Sequence, residues 1–414
     1  MAQYSSIAVD QNVDIPMRDG TLLRADVYRP DSREKHPVLL QRTPYDKSNR
    51  LGSVFTIDPI RAASSGYAVV IQDVRGRFAS EGIFYNFKDE TSDGVDTIDW
   101  CGTQSWSTGS VGMYGRSYVG ATQWLAAIAT PGYLKALAPG VTASQYYDGW
   151  TYEGGAFQLW FAASWATSQL TLANLQRISR HLPAALNDRS KLVEANNNLV
   201  EYMRHLPLKD FPPLKREVLA PYYYDWINLE TDDDYWKPWK IEDNYSAVTV
   251  PAFNYGGWYD IFIGGTLKNF VGMQANGGSD IARSSQKLLI GPWAHTPFPF
   301  SNQTGSFDFG LKALIDSDGA QLRWFDQWLK EEDTGILSEP AVKIFVMGKN
   351  EWREESQWPP ADIQYLEYFL HSKGKANSLH GDGSLTRQSP HCLLYTSDAA
   401  DDTPCVDLGG RRII

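Results

Sequence analysis

Ten residues, Val111-Gly112-Met113-Tyr114-Gly115-Arg116-Ser117-Tyr118-Val119-Gly120, lead from a short apolar strand through glycine, serine and glycine into the helix-forming run ATQWLAAIA. A strand that turns this sharply into a helix needs glycine wherever a side chain would strike the neighbouring backbone. A serine on such a turn has its hydroxyl pushed out above the sheet. The layout is that of a nucleophile elbow, and it makes Ser117 a candidate nucleophile. The spacing is G-x-S-x-x-G and not the commoner G-x-S-x-G, so on the motif alone a plain Gly-Ser turn before a helix stays open.

A serine hydroxyl is a weak nucleophile until a histidine takes its proton and a carboxylate orients that histidine. Among only seven histidines, His295 ends the apolar run Lys287-Leu288-Leu289-Ile290-Gly291-Pro292-Trp293-Ala294. Strand, Gly-Pro break and His together read as a base carried on a loop. Asp260 closes a second apolar stretch that begins at Val248 and runs out through Gly256-Gly257-Trp258-Tyr259, which makes it the candidate orienting acid. Ser117, Asp260, His295 is the chain order of the α/β-hydrolase triad, each residue falling just past a predicted strand. The spans 37–41 and 67–72 read as further strands and 90–100 as a helix, an alternation that predicts a mostly parallel sheet covered by helices.

The segments MRDGTLLRADVYRP, QRTPYDK, QDVRGRFASEG, GVDTIDW, GMYGRSYVG, GGWYDIFIGGTLKNF and IGPWAHT, spread over about residues 10–350, carry a family resemblance. The chain resembles the cocaine-esterase-like (CocE/NonD) hydrolases, which are related to X-Pro dipeptidyl peptidases, α-amino-acid ester hydrolases and cephalosporin acylases. The resemblance implies an α/β-hydrolase core with a helical cap insertion and a C-terminal β jelly roll. It implies Ser117 as nucleophile, Asp260 and His295 as its partners, and a Tyr45 hydroxyl and Tyr118 backbone N–H as the two oxyanion donors. Read by itself, Tyr45 is an ordinary half-buried tyrosine after a strand; the resemblance gives it a role. Two fixed donors in a site with little water suit the charge that develops in acyl transfer, Tyr118 lies at a helix N-terminus, and Pro44 stiffens the Tyr45 loop. The expected activity is cleavage of carboxylic esters through an acyl-enzyme. The alternative is an amide-cleaving relative, namely a β-lactam side-chain acylase, an α-amino-acid ester hydrolase or an X-Pro dipeptidyl peptidase. A binding role on a dead hydrolase fold would require a missing triad residue, and all three are present.

Composition fits a large core. The 414 residues are 43% hydrophobic, and no run approaches the ~20 apolar residues needed to span a bilayer. A formal charge of −11 argues against nucleic-acid or anionic-membrane partners. The N-terminus shows no basic-then-apolar signal pattern, so the expectation is a cytoplasmic enzyme acting on small molecules, with homo-oligomerisation left open. Cys101, Cys392 and Cys405 are too few and scattered for a disulfide framework or a zinc site, and neither metal nor cofactor is expected. Repeats and low-complexity tracts are absent. No glycine-rich phosphate loop follows a strand, and Asp73 and Arg75 in the DVRGR segment read as structural anchors near the site.

The expected divisions are residues 1–144 and 247–335 for the two halves of the core, 145–246 for the cap, 336–391 for the start of the jelly roll and 392–414 for a foreign tail. Aromatics crowd the cap segment. Trp150, Phe157, Trp160, Phe161 and Trp165 are candidate pocket walls, the last four on one helical face, although any single ring is more often core. The acidic run 230–234 could hold a substrate amino group, but reads better as a solvated turn capping Tyr235-Trp236. Segments 341–347 and 364–370 resemble the opening strands of the jelly roll. After them CLLYTSDAAD and VDLGGRRII look like translated sequencing adapter, which implies a cut gene, most of the jelly roll missing and exposed sheet edges that favour aggregation.

Overall fold

The computed structural model describes residues 4–49, 56–231, 233–296, 301–376 and 378–389. They fall into two units, one ending at Ser356 and the other starting at Gln357.

The first unit is organised by one sheet of ten strands: β1 (Ile7–Pro16), β2 (Leu22–Pro30), β3 (His36–Thr43), β4 (Ala68–Asp73), β5 (Ser107–Arg116), β6 (Leu134–Gly140), β7 (Phe253–Tyr259), β8 (Lys287–Ala294), β9 (Val342–Val346) and β10 (Glu351–Glu355). Their spatial order is β1-β2-β4-β3-β5-β6-β7-β8-β9-β10. The seven strands from β4 across to β9 are mutually parallel, while β1, β2 and β10 attach antiparallel at the two ends. Parallel strands covered on both faces are apolar on both, and the side chains alternate between two cores. Val38 and Leu40 of β3, Val70 of β4 and Val111 and Met113 of β5 enter the core beneath the helices that follow β4 and β5. Leu39, Val69, Ile71 and Tyr114 enter the opposite core, against Trp324 and Phe325.

Two helices matter for the site: α1 (Glu90–Thr103) and α2 (Tyr118–Ala127). All ten residues of α2 are buried, the polar Thr122 and Gln123 included, whose side chains bond to backbone carbonyls. Between β6 and β7 the alternation of strands and helices stops. This stretch holds α3 (Leu159–Trp165), a widened π-type turn Ala166–Thr171, helices Arg189–Asn197 and Pro221–Asn228, and short 3-10 turns. Among the described residues no helix is long and apolar enough to cross a membrane.

One strand of the segment expected to open the C-terminal module lies in the main sheet. Segment 341–347 was expected to open the C-terminal module, but β9 hydrogen-bonds in parallel to β8 and extends the main sheet, with Val342 opposite Leu288 and Ile344 opposite Ile290. An apolar strand announces its burial but not which sheet it joins. In the second unit, the strand expected over 364–370 is confined to Phe369–His371, paired antiparallel with Ser384–Thr386. The segment read as foreign, 392–414, lies outside the described residues.

Candidate active site

Ser117, Asp260 and His295 each occupy the position immediately after a parallel strand, β5, β7 and β8 respectively, so the topology delivers all three to one edge of the sheet. Ser117 has φ 60° and ψ −128°, a backbone conformation that a non-glycine residue holds only when its surroundings enforce it. The surroundings here are specific. Its N–H donates to the Gly140 carbonyl at 2.9 Å, and its own carbonyl accepts from Gly120 and Ala121 in the first turn of α2. A Cβ on Gly115 would lie 2.2 Å from Cγ1 of Val119, and one on Gly120 2.9 Å from the Gly140 oxygen, so the turn closes only with glycine at both places.

The three side chains form an unbroken relay. His295 Nε2 lies 3.0 Å from Ser117 Oγ, and His295 Nδ1 lies 3.0 Å from Asp260 Oδ2. Asp260 is fully buried, and its second oxygen accepts the Phe262 N–H at 2.6 Å, which fixes the carboxylate. An ionised carboxylate only accepts, so Nδ1 carries the imidazole proton and Nε2 is left to receive the serine's. The imidazole edge packs against Phe262 with ring centroids 5.2 Å apart, and Phe262 stacks on Trp150 at 4.1 Å.

The Tyr45 ring meets that of Tyr118 edge-on at 6.5 Å, and the Tyr45 hydroxyl accepts from Trp165 Nε1 at 3.2 Å. Burial pushes its pKa above the ordinary tyrosine range, so it stays a neutral donor. Tyr118 opens α2, where helix geometry leaves the first amides without an intrahelical acceptor. The Tyr118 side chain enters a buried network. Its hydroxyl donates to Glu90 at 2.7 Å and accepts from the Phe87 N–H, while Glu90 pairs with Arg42 at 2.6 Å. Burial raises the Glu90 pKa, against the opposing pull of Arg42.

The aromatic candidates divide. Trp150, Phe161 and Trp165 gather beside the relay: Phe161 stacks on Trp165 at 5.4 Å and meets Trp150 edge-on at 5.6 Å. Phe157 does not join them. It precedes α3 in a two-residue strand and packs against Tyr152 and Tyr223. Trp160, 58% exposed, turns outward. The shared helical face expected for the four rings fails because the helix begins only at Leu159.

Asp73 and Arg75 act as anchors. Asp73 accepts the backbone N–H groups of Lys47 and Ala79, tying down the loop that carries Tyr45, and desolvation raises its pKa to about 7. Arg75 pairs with Asp93 and Asp19. In the acidic run, Asp233 accepts the Tyr235 N–H and Asp234 pairs with Lys237, as a capping turn requires. Sequence reasoning missed Phe262, Glu90, Arg42 and Arg77. Only the position of Phe262, two residues past Asp260, offered a signal. Among the described residues no group of three His, Cys, Asp or Glu side chains is placed to hold a metal ion.

A strand order of 1-2-4-3-5-6-7-8 with an elbow serine after β5 and a hydrogen-bonded histidine and aspartate after β8 and β7 defines an α/β-hydrolase. Residues 19–297 match the model of the X-Pro dipeptidyl-peptidase (S15) family, and residues 334–400 match that of the X-Pro dipeptidyl-peptidase C-terminal non-catalytic domain, a match that runs past residue 392. The cocaine esterase of Rhodococcus sp. (strain MB1 Bresler) is 36% identical over 98% of this chain and 70% of its own length. A putative serine esterase of Mycobacterium bovis is 26% identical over 91% of this chain and 64% of its own. The chain therefore belongs to the S15 family, in its cocaine-esterase-like (CocE/NonD) branch, and is a serine hydrolase. Among solved structures, an α-amino acid ester hydrolase superposes with a TM-score of 0.66 at 23% identity, covering 94% of this chain and 64% of that one. A CocE/NonD family hydrolase from Staphylococcus aureus gives 0.63 at 22%, covering 89% and 59%. These two likenesses speak for the fold. The chain spans less than two thirds of both structures.

Proposed function

We propose that the chain cleaves carboxylic esters through an acyl-enzyme formed on Ser117. The relay Asp260–His295–Ser117, with both separations at 3.0 Å, carries this reading. Ser117 Oγ attacks the ester carbonyl carbon as its proton passes to His295 Nε2. The carbonyl oxygen, now negative, is held by the Tyr45 hydroxyl and the Tyr118 N–H. Collapse breaks the bond to the alkoxy oxygen, which leaves with the proton from Nε2. Water then gives a proton to the same nitrogen, attacks the acyl carbon and releases the carboxylic acid and free serine. The rings of Trp150, Phe161, Trp165 and Phe262 suit an apolar or aromatic acyl group, which an aromatic wall selects by burial.

The name of the matching family supports a second reading, cleavage of amides such as X-Pro peptides. The more similar relatives favour the first: cocaine esterase at 36% identity stands against a putative Xaa-Pro dipeptidyl-peptidase of Bacillus anthracis at 24%. Comparing kcat/KM for p-nitrophenyl acetate and benzoate with that for X-Pro p-nitroanilides and cephalosporin side-chain amides decides between them. The ester reading expects turnover of the esters to exceed that of both amide classes. An X-Pro anilide or a cephalosporin as the best substrate would replace it.

A further inference from the structure

We infer that Trp165 is a positioning residue for the reaction: its indole N–H bonds to the Tyr45 hydroxyl oxygen and so directs the single Tyr45 proton to the oxyanion that forms at Ser117. This rests on the oxyanion role proposed for Tyr45.

The argument is one of donors and acceptors. An indole N–H can only donate, and an ionised carboxylate can only accept. Trp165 Nε1 therefore donates to the Tyr45 oxygen at 3.2 Å and leaves the phenolic proton for another acceptor, while His295 Nε2 lies 3.0 Å from Ser117 Oγ and His295 Nδ1 3.0 Å from Asp260. Asp260 accepts the Nδ1–H hydrogen bond, so Nε2 accepts from Ser117. When the serine oxygen bonds to the carbonyl carbon, the Tyr45 proton bonds to the new oxyanion, with the indole N–H behind it. No covalent bond to Trp165 or Tyr45 forms or breaks. Without the indole donor, the phenolic O–H can rotate about its C–O bond and spend part of its time turned away. A hydroxyl that accepts a hydrogen bond is also a stronger donor.

The packing holds both residues to this geometry. The Trp165 ring is stacked between Phe161 at 5.4 Å and Trp226 at 5.9 Å, with interplanar angles of 13° and 4°. Arg77, fully buried, donates to the Pro44 carbonyl at 2.7 Å and to the Gln169 and Leu170 carbonyls at 2.7 and 2.6 Å. Pro44 precedes Tyr45, and residues 169 and 170 lie in the π-type turn that continues the helix bearing Trp165. One guanidinium thus sets the separation of hydroxyl and indole. The segment between β6 and β7 contributes to the oxyanion site as well as to the walls of the pocket.

The test replaces the Trp165 indole with benzothiophene, by incorporation of 3-benzothienylalanine, which keeps the ring shape and removes the N–H. It is made in the intact protein with Tyr45 present and in a Tyr45→Phe background. A p-nitrophenyl ester is the substrate, and thermal midpoints check each fold. The expected result is a roughly 3- to 30-fold loss of kcat with KM unchanged when Tyr45 is present, and a loss under about twofold in the Tyr45→Phe background. Affinity for benzeneboronic acid, whose adduct on Ser117 carries the tetrahedral charge, should fall in parallel with kcat while affinity for benzoate stays level. Equal losses in both backgrounds, or a raised KM with kcat intact, would overturn the inference and make Trp165 only a wall of the pocket. A Tyr45→Phe variant with undiminished kcat would instead overturn the oxyanion role itself.

Discussion

Ser117, Asp260 and His295 were legible as residues because each follows an apolar strand, and glycine or proline breaks expose them at the strand's end. Arg77 and Glu90 were not, because what they do depends on groups 28 to 93 residues away in sequence, which no local pattern encodes. Asp73 was read as an anchor from its segment, yet its titration is a product of burial. Its folded carboxyl holds a proton up to about pH 7, whereas the same group in an unfolded chain releases it near 3.8. Between those values the folded state binds more protons, so this group's contribution to stability falls as pH rises from about 4 to about 7 and is level above that. The full difference is bounded by about 4 kcal/mol. The melting midpoint should therefore fall more steeply from pH 5 to pH 8 in the wild type than in Asp73→Asn, which cannot titrate. Parallel curves for the two proteins would mean that Asp73 ionises normally in the fold.

At the scale of elements, the elbow was visible because its glycines are demanded by backbone geometry and not by distant partners. Gly115 has φ 129°, and an added Cβ would meet Val119 Cγ1 at 2.2 Å and Val119 Cβ at 2.9 Å. Gly115→Ala should destabilise the protein by roughly 2–3 kcal/mol and lower kcat, because relief of the clash moves the first turn of α2 and with it Ser117. Urea unfolding and ester turnover measured on the same preparation check both halves, and a variant with wild-type midpoint and kcat would show that the turn tolerates a side chain. The strand at 342–346 shows the limit of this kind of reading. Its alternation was correct, but its partner β8 lies about fifty residues earlier, and only the register of Leu288 with Val342 assigns it to the main sheet. The aromatic face failed for a related reason. A period of 3.6 was extended back through Phe157, where the chain is still extended.

For the molecule as a whole, the alternation of strands and helices gave the fold class, and the order of Ser, Asp and His gave its topology, since in this fold the three positions follow particular strands. The crossover that brings β3 between β4 and β5 had no signature in the sequence, being set by how a twisted parallel sheet grows to either side of its first strands. What the molecule does depends on whether that topology, by carrying three residues from positions 117, 260 and 295 to one edge, makes a nucleophile of a serine. The most direct measurement is the steady-state kcat of Ser117→Ala on a p-nitrophenyl ester beside the wild type, with circular dichroism to confirm an unchanged fold. The account predicts a loss on the order of 10³-fold or more, with the residue left by the oxyanion donors and binding alone. A folded Ser117→Ala protein that still hydrolyses the ester at close to the wild-type rate would contradict it.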